Sequence, residues 1–260
     1  KIKFIMKVCI FGDNLTSLAL AKALVKKEIF VDLFLKKKNT KIDVTRTIGI
    51  SKSNINYFNK NISDINKMMW PIKKIKIFTE NSDNKELLKF EDRKNNLFSI
   101  FQNQKIFNQL TYELKKNKFF KFRKAIKYSE LNYIDYNLLI NCDIKNEITK
   151  KFFSRKFEKN YNSIAFTTFI SHKKLPLNNE AIQVFTNDGP IAFLPISKEK
   201  TSIVYSARMK KNKTELEINK IINKFNPKYT IKKIHKISKF ELKSLNLREY
   251  YKDNILAFGD

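Results

Sequence analysis

Val8-Cys9-Ile10-Phe11-Gly12-Asp13-Asn14-Leu15-Thr16-Ser17-Leu18-Ala19-Leu20-Ala21 is the stretch on which the fold turns. Residues 8–11 form a short unbroken apolar run, the pattern of a strand buried on both faces of a parallel sheet. Gly12-Asp13-Asn14 is a tight turn. Residues 15–27 read as a helix that is apolar on nearly every side until Lys22 and is therefore largely buried. A second apolar strand follows at 29–35. Strand, turn, helix and strand within about thirty residues make a βαβ unit.

The chain has only four glycines, Gly12, Gly49, Gly189 and Gly259, so the places where glycine persists are informative. Gly12 stands at the mouth of the first helix. A dinucleotide-binding turn needs glycine there, because the chain reverses sharply and a diphosphate rests on the helix N-terminus. The three positions of a G-x-G-x-x-G fingerprint hold Gly12, Asn14 and Ser17. Asn is the best non-glycine occupant of a left-handed conformation, and Ser17 is small enough for close helix–strand packing. An ordinary βα turn is the alternative. At the end of the second strand, where an acid would bind a ribose, stands Leu35. Lys36-Lys37-Lys38 follow, readable as a site for a 2′-phosphate or, more simply, as a solvated charge run.

Further along, 51–68 can hold one helix, and 72–78 alternates apolar and basic residues as a half-exposed strand does. Ile106, Phe107, Leu110 and Leu114 share one face of a helix over 104–114. Residues 136–140 make another buried strand. After about residue 151 the character changes. Short strand-like runs at 164–170, 181–186, 191–196 and 201–207 are separated by turn-rich stretches such as Asn187-Asp188-Gly189-Pro190. This implies an antiparallel sheet and a second domain. Thr214 and Glu217 form a capping box opening a helix over 214–225, and 255–258 is a last apolar strand running into Gly259-Asp260.

Composition excludes several classes. The net charge is +28, but lysine supplies 47 of the 53 basic residues and they are scattered along the chain. Nucleic-acid recognition favours arginine's bidentate fork, so the charge argues against a nucleic-acid partner and suits an anionic membrane surface better. Cys9 and Cys142 each sit in an apolar run and read as buried free thiols. Two cysteines without metal spacing and two histidines give no metal site. His172 and His235 stand near lysines and read as surface residues. Trp70 reads as core or domain interface. No apolar run approaches the roughly 18–20 residues of a membrane helix. Residues 1–7 lack the features of a cleavable signal peptide, and Met6 is a natural start, which puts 1–5 upstream of it.

Taken together, six segments resemble the FAD-dependent hydroxylases of ubiquinone biosynthesis (the 2-octaprenyl-6-methoxyphenol hydroxylase type), in the para-hydroxybenzoate hydroxylase superfamily. They are residues 8–21; Arg46-Thr47-Ile48-Gly49-Ile50-Ser51; Gln102-Asn103-Gln104; Leu138-Leu139-Ile140-Asn141-Cys142-Asp143; Ala181 to Thr186 with Gly189-Pro190-Ile191-Ala192-Phe193-Leu194-Pro195; and Ile255-Leu256-Ala257-Phe258-Gly259-Asp260. The stretch 181–195 is similar to the family's substrate-sheet signature and is the most specific of the six. Order and spacing hold over essentially the whole chain.

The resemblance implies an α/β fold. A Rossmann-like FAD domain of the glutathione-reductase type (1–70, 105–150 and 246–260) is interrupted by an α+β substrate domain with a mostly antiparallel sheet (71–104 and 151–245). It implies an FAD monooxygenase, with NADH or NADPH as electron donor, that uses oxygen to hydroxylate the ring of a polyprenylated phenol. It suggests that Gly12, Asn14 and Ser17 lie against the cofactor's diphosphate. Arg46 and Gln104 would contact the cofactor from the facing side, and Gly259 and Asp260 would hold its ribityl end. Gly189 and Pro190 would approach the flavin ring and the substrate. Arg46 as a surface cation and Gly189-Pro190 as a plain hairpin are the simpler alternatives. No catalytic side chain is assigned, because in this chemistry the flavin does the difficult step. Asp13, Asn14, Ser17 and Leu35 depart from the family pattern, Ile144 replaces a glycine after Asp143, and Leu177 replaces a frequent histidine. The chain also stops before the family's last segment, so it reads as a C-terminally truncated, inactive fragment. A relative that has lost its flavin and serves as a scaffold among quinone-biosynthesis proteins is the second reading. The expected location is the cytoplasm, with peripheral attachment to the inner membrane as an extension of it.

Overall fold

The computed structural model describes residues 6–35, 44–81, 85–92, 94–124, 127–128, 131, 135–208 and 213–259. In chain order the elements are β1 (Lys7–Phe11), α1 (Leu15–Val25), β2 (Phe30–Phe34), β3 (Thr47–Ile50), α2 (Lys52–Asn61), β4 (Trp70–Ile72), β5 (Lys74–Thr79), β6 (Leu88–Glu91), β7 (Phe98–Gln102) and α3 (Asn103–Lys115). There follow β8 (Phe120–Arg123), β9 (Leu138–Asn141), α4 (Glu147–Phe152), β10 (Lys156–His172), β11 (Glu180–Thr186), β12 (Gly189–Pro195) and β13 (Lys200–Arg208). The chain continues with α5 (Glu215–Lys224), β14 (Ile231–Ile234), β15 (Ser238–Leu247), β16 (Tyr251–Lys252) and β17 (Ile255–Ala257).

The first sheet has the order β16-β17-β9-β1-β2-β8. All its pairings are parallel except β16 with β17. From β1 the chain builds outward through β2 to β8, then returns to lay β9 and β17 on the other side. The direction of winding therefore reverses between β1 and β9, the kind of place at which open α/β sheets bind their ligands. Val8, Ile10, Val31 and Leu33 bury one face against Leu18, Ala21 and Val25 of α1 and Ile106, Leu110 and Leu114 of α3. Leu- and Ala-rich α1 has no glycine or proline to weaken it,. The other face, with Cys9, Phe11, Phe34 and Leu139, packs against Ile148 of α4, Tyr128, Phe153 and Leu247.

One acid lies inside this second face. Asp32, in the middle of β2, is only 3% exposed. Arg123 of β8 reaches it with Nε at 3.2 Å and a terminal guanidinium nitrogen at 3.2 Å. The Tyr136 hydroxyl donates to it at 2.8 Å, and Lys7 Nζ lies at 3.5 Å. A buried carboxylate is tolerated because these donors replace its water.

The second sheet follows the path β14-β10-β13-β12-β11-β5-β6, with β15 also paired to β10. It is antiparallel except for β5 with β11, so the expected mostly antiparallel sheet is present. One face carries Phe166, Ile191, Phe193, Ile203 and Tyr205 and is covered by Ile218 and Ile222 of α5. The capping box of α5 is present on both sides: the Thr214 hydroxyl accepts the Glu217 N–H, and Glu217 accepts the Thr214 N–H. β10 is far longer than the run 164–170 that the sequence suggests. Its first half, exposed throughout, pairs only with β15. A small antiparallel sheet, β3-β7-β4, joins strands from both sides of the domain boundaries expected near 70 and 104. Trp70 packs between this small sheet and the large one, beside Ile72, Ile100, Ala181 and Leu194.

The histidines correct the sequence reading. His172 is 1% exposed, with Nδ1 at 2.8 Å from the Lys173 carbonyl and Nε2 at 3.1 Å from the Thr201 hydroxyl. His235 is half-buried against the Ser171 hydroxyl. His172 is therefore not a surface residue: it lies where β10 meets β14, and pairing with that unforeseen strand encloses it, while His235 stays partly exposed.

Burial alone would raise the Asp32 carboxyl, but the hydrogen bonds from Arg123 and Tyr136, with the charges of Arg123 and Lys7, hold it below the usual carboxylate range. A carboxyl that ionises at lower pH when folded contributes its full stability above the unfolded value, about 3.9, and loses it as pH falls through the folded one. Asp32→Asn is expected to cost about 1–3 kcal/mol at neutral pH. In denaturant melts its deficit should shrink as pH falls below about 3.9; a deficit that stays constant on acidification would refute the assignment.

Candidate cofactor crevice

The crevice is built where β1, β9 and β17 end. Cys142 N–H donates to the Phe11 carbonyl at 2.8 Å, and Phe258 N–H to the Asn141 carbonyl at 3.0 Å, extending the parallel ladder one step beyond each strand. Gly12 follows β1 with φ +130°, and a Cβ on it would lie 3.3 Å from the Cβ of Cys142. Gly259 follows β17 with φ +100°, and a Cβ there would lie 2.8 Å from Thr16 Cγ2 in the first turn of α1. Two glycines thus let three chain segments close around the helix N-terminus.

Asn14 is the N-cap of α1. Its Oδ1 accepts the Ser17 N–H at 2.9 Å, and its Nδ2 donates to the Cys142 carbonyl at 2.7 Å. The Asn14 backbone is extended, φ −93° and ψ 175°, so Asn stands there as a cap and a tether rather than as a substitute for a left-handed glycine. Ser17 is fully buried and its hydroxyl donates to the Asn14 carbonyl at 2.8 Å. The N–H groups of Leu15 and Thr16 sit at the first two helical positions, where no intrahelical acceptor exists. No acid lies in the first turn of α1, leaving the helix dipole's positive end open to an anion. The half-buried Asp13 lies in the turn just before it.

The N-terminus of α1 fits a diphosphate through its first-turn N–H groups and the absence of an acid in that turn,, while Gly12 and Gly259 let the neighbouring strand ends pack close beside it. The ribose end fits less well. Leu35 packs against the core beside α1, so no carboxylate stands at that place, and Asp32 is held by Arg123 and Tyr136. Lys36, Lys37, Lys38 and Asp260 lie outside the described residues.

Arg46 and Gln104 do not gather at Gly12 through any side-chain contact. The Arg46 guanidinium lies 5.3 Å from the centre of the Phe240 ring on β15, while Gln104 donates to Asn108 one turn along α3 at 2.8 Å. The backbones of these two segments do meet, Asn103 N–H donating to the Arg46 carbonyl at 3.1 Å. Gly189 and Pro190 begin β12 after the two-residue turn Asn187-Asp188, as Thr186 pairs with Gly189 and Phe185 with Pro190. At φ +139°, a Cβ on Gly189 would fall 2.0 Å from the Ser206 carbonyl oxygen. The turn is a hairpin, and close approach to β13 requires its glycine.

Sequence reasoning missed the contacts that hold the segment before β3 onto the large sheet. The Thr45 and Thr167 hydroxyls lie 2.7 Å apart, and those of Thr47 and Ser202 3.0 Å apart. They mark the sheet face opposite α5. Across that face run Thr167, Val204, Ala192 and Gln183, successive partners on β10, β13, β12 and β11; the last three are half-buried. The thiols are inert: burial, with the charge of Asp143, pushes Cys142 up to about 12, and burial raises Cys9 further, so neither is a thiolate at neutral pH.

No family model and no curated protein matches the chain. Its fold is that of solved flavin-type monooxygenases. It superposes on p-nitrophenol 4-monooxygenase PnpA from Pseudomonas putida DLL-E4 with a TM-score of 0.76 at 12% identity, over 98% of this chain and 72% of that one. It superposes on pqsL, a probable FAD-dependent monooxygenase from Pseudomonas aeruginosa, with a TM-score of 0.74 at 12% identity, over 98% and 78%. For 2-methyl-3-hydroxypyridine-5-carboxylic acid oxygenase the TM-score is 0.76 at 10% identity, over 99% and 75%. The α/β architecture expected from the sequence is thereby established.

Asn14→Ala removes the cap and the tether to Cys142 and is expected to lower the unfolding free energy by about 1–2 kcal/mol. Gly189→Ala is expected to cost more, roughly 3 kcal/mol or failure to fold, since the new Cβ meets backbone and the φ is strained. Denaturant melts measure both, and a Gly189→Ala protein as stable as wild type would contradict the close approach.

Proposed function

We propose that the chain is the cofactor- and substrate-binding part of an FAD-dependent aromatic hydroxylase acting on a polyprenylated phenol in ubiquinone biosynthesis. The observation that carries the reading is the N-terminus of α1 at the β1/β9 reversal, whose first-turn N–H groups have no intrahelical acceptor and around which Gly12 and Gly259 let the strand ends close. When bound there, FAD would supply reduction by NADH or NADPH and transfer of one oxygen atom to the ring. The chain's own part is to bind and orient. The N–H groups of Leu15 and Thr16 would receive the diphosphate, with Asn14 and Ser17 holding their turn in place. The phenolic ring would lie on the small-residue face of the large sheet near Ala192 and Val204, which excludes water from the reacting ring. The ubiquinone assignment rests on the similarity of residues 181–195 to that family's substrate-sheet signature. Work at the membrane surface, aided by the many lysines, fits a prenylated substrate. No helix among the described residues is long and apolar enough to cross a membrane.

One observation favours the second reading, a flavin-free scaffold among quinone-biosynthesis proteins. The Asn14 amide is committed to Cys142 and Ser17, and Leu35 offers the ribose nothing.

The visible absorption spectrum of the full-length protein, expressed with ample FAD, separates the two. Flavin at close to one equivalent, bleached by NADH or NADPH, is the expected result. Ala192→Phe should keep that spectrum while cutting hydroxylation at least about tenfold. A colourless folded protein that FAD cannot reconstitute would sink the hydroxylase reading. In that case retrieval of quinone-biosynthesis proteins with the tagged chain tests the scaffold, and their absence would end it.

A further inference from the structure

The face of the large sheet opposite α5 does not stop at Gln183. β11 pairs with β5 and β5 with β6, so the row from Ala192 to Gln183 continues to Ile77 and then Leu88. The neighbouring row runs from Ala181 through Ile75 to Phe90. Along β5 and β6 the side chains alternate between the two faces. Lys74, Lys76, Lys89 and Glu91 lie on the other face. There Lys74 and Lys76 reach Glu180 at 3.9 and 3.7 Å, and Lys74 and Lys89 reach Glu91 at 3.4 and 2.8 Å. With the charges paired on that side, Ile75, Ile77, Leu88 and Phe90 make the first face hydrocarbon. Leu88 is 51% and Phe90 48% exposed, and Phe185, two residues on from Gln183 and on the same face, is 44% exposed. Proteins seldom leave large apolar side chains grouped at the surface without a use.

Among the described residues this face is covered at one end and along one side. At β10 and β13 the segment leading into β3 lies on it, through the Thr45–Thr167 and Thr47–Ser202 hydroxyl contacts. Along one side, Trp70 and the small sheet cover Ala181, Leu194 and Ile75. In the row between, Thr167 is buried, Val204, Ala192, Gln183 and Ile77 are half-buried, and Leu88 is exposed. A ligand with its ring near Ala192 is therefore blocked toward β10 and toward Trp70, and finds its apolar path across β5 to β6. From Ala192 to Leu88 is three strand spacings, about 14 Å, more than a single ring spans. Beyond the Gln183 amide, Ile77 and Leu88 offer no side-chain donor or acceptor, so the part of a ligand that lies there is apolar.

We infer that this strip seats the hydrocarbon tail of the phenolic substrate. The ring lies at Ala192 and Gln183, the tail crosses Ile77, and it leaves the protein over Leu88 and Phe90 of the edge strand β6. The inference rests on the hydroxylase reading for the ring, and adds to it the residues that select a tailed phenol over a tail-less one. Such side chains recognise hydrocarbon by area, so affinity rises with tail length until the strip is covered. A second copy of the chain is a poorer occupant: β6 has four residues and carries Lys89 and Glu91, and short, charged edge strands discourage pairing between sheets.

The test is equilibrium dialysis of the full-length protein, supplied with FAD, against radiolabelled ortho-farnesylphenol and ortho-cresol, with the turnover of each phenol followed in parallel. Wild type is expected to bind farnesylphenol at least about tenfold more tightly than cresol. Leu88→Gln/Phe90→Gln, at two exposed positions, should bring the two affinities together and raise KM for farnesylphenol far more than it lowers kcat. Leu216→Gln, an equally exposed change on α5 across the sheet, should leave the farnesyl preference intact. Equal affinity for the two phenols in wild type, or a farnesyl preference that survives the double variant, overturns the strip while leaving the hydroxylase reading standing if cresol is hydroxylated. A protein without flavin that keeps a farnesyl preference, lost in the double variant, ends the hydroxylase reading and retains the strip. A wild-type dimer that the double variant breaks, with farnesylphenol binding unaltered, assigns the face to a second copy and overturns the inference.

Discussion

Gly12 leaves β1 with φ +130°, a conformation L side chains rarely adopt, and its missing Cβ would sit a tight 3.3 Å from the Cβ of Cys142. That approach governs much else. It brings the Cys142 carbonyl within reach of the Asn14 amide, which fixes where α1 begins. It also sets α1 against the end of β17, where Gly259 passes Thr16. A parallel sheet buried on both faces cannot adjust locally to a bulkier turn, because helices on each side hold its strands in register. The crevice is the product of close packing around absent side chains.

The large sheet is tied to this region in two physically different ways. One is covalent and long: β10 leaves α4, runs out as an exposed ribbon with β15, and then enters the core of the second sheet without a break. The other is a set of small polar contacts, Thr45 with Thr167 and Thr47 with Ser202, supported by the apolar cluster around Trp70. Buried hydroxyl pairs of this kind contribute little net energy but specify registration, since a slip would leave each hydroxyl unpaired.

The lysines need separate treatment from the charge they sum to. Most of the ion pairs lie at the surface, as Lys156 with Glu158 and Lys243 with Glu241 do, where such pairs contribute little. Two places differ. At Asp32, cations and a phenol replace the solvent of a buried carboxylate. Beside α2, the exposed Lys52, Lys73 and Lys94 line one cleft in which neither Asp nor Glu takes part. Scattered charge from a biased composition and charge gathered by the fold are the same residue type in different dielectric surroundings.

Local signals decided what was legible in the sequence. The βαβ unit, the buried helix α1, the amphipathic face of α3, the capping box of α5 and the Asn187-Asp188 turn were all readable, because apolar periodicity and turn chemistry act between neighbours in the chain. The strands β6, β8, β14 and β15 were not. Their residues alternate lysine with apolar side chains or are wholly exposed, and only partners far along the chain make strands of them. His172 and Asp32 show the same limit: a polar side chain becomes a buried, bonded one only when distant strands and loops close over it. The site divides in the same way. Gly12, Asn14 and Ser17 could be named from spacing alone, whereas the capping and tethering role of Asn14, the exposed stacking of Arg46 on Phe240 and the lysine-rimmed cleft depend on tertiary packing, which brings together groups that no local pattern relates.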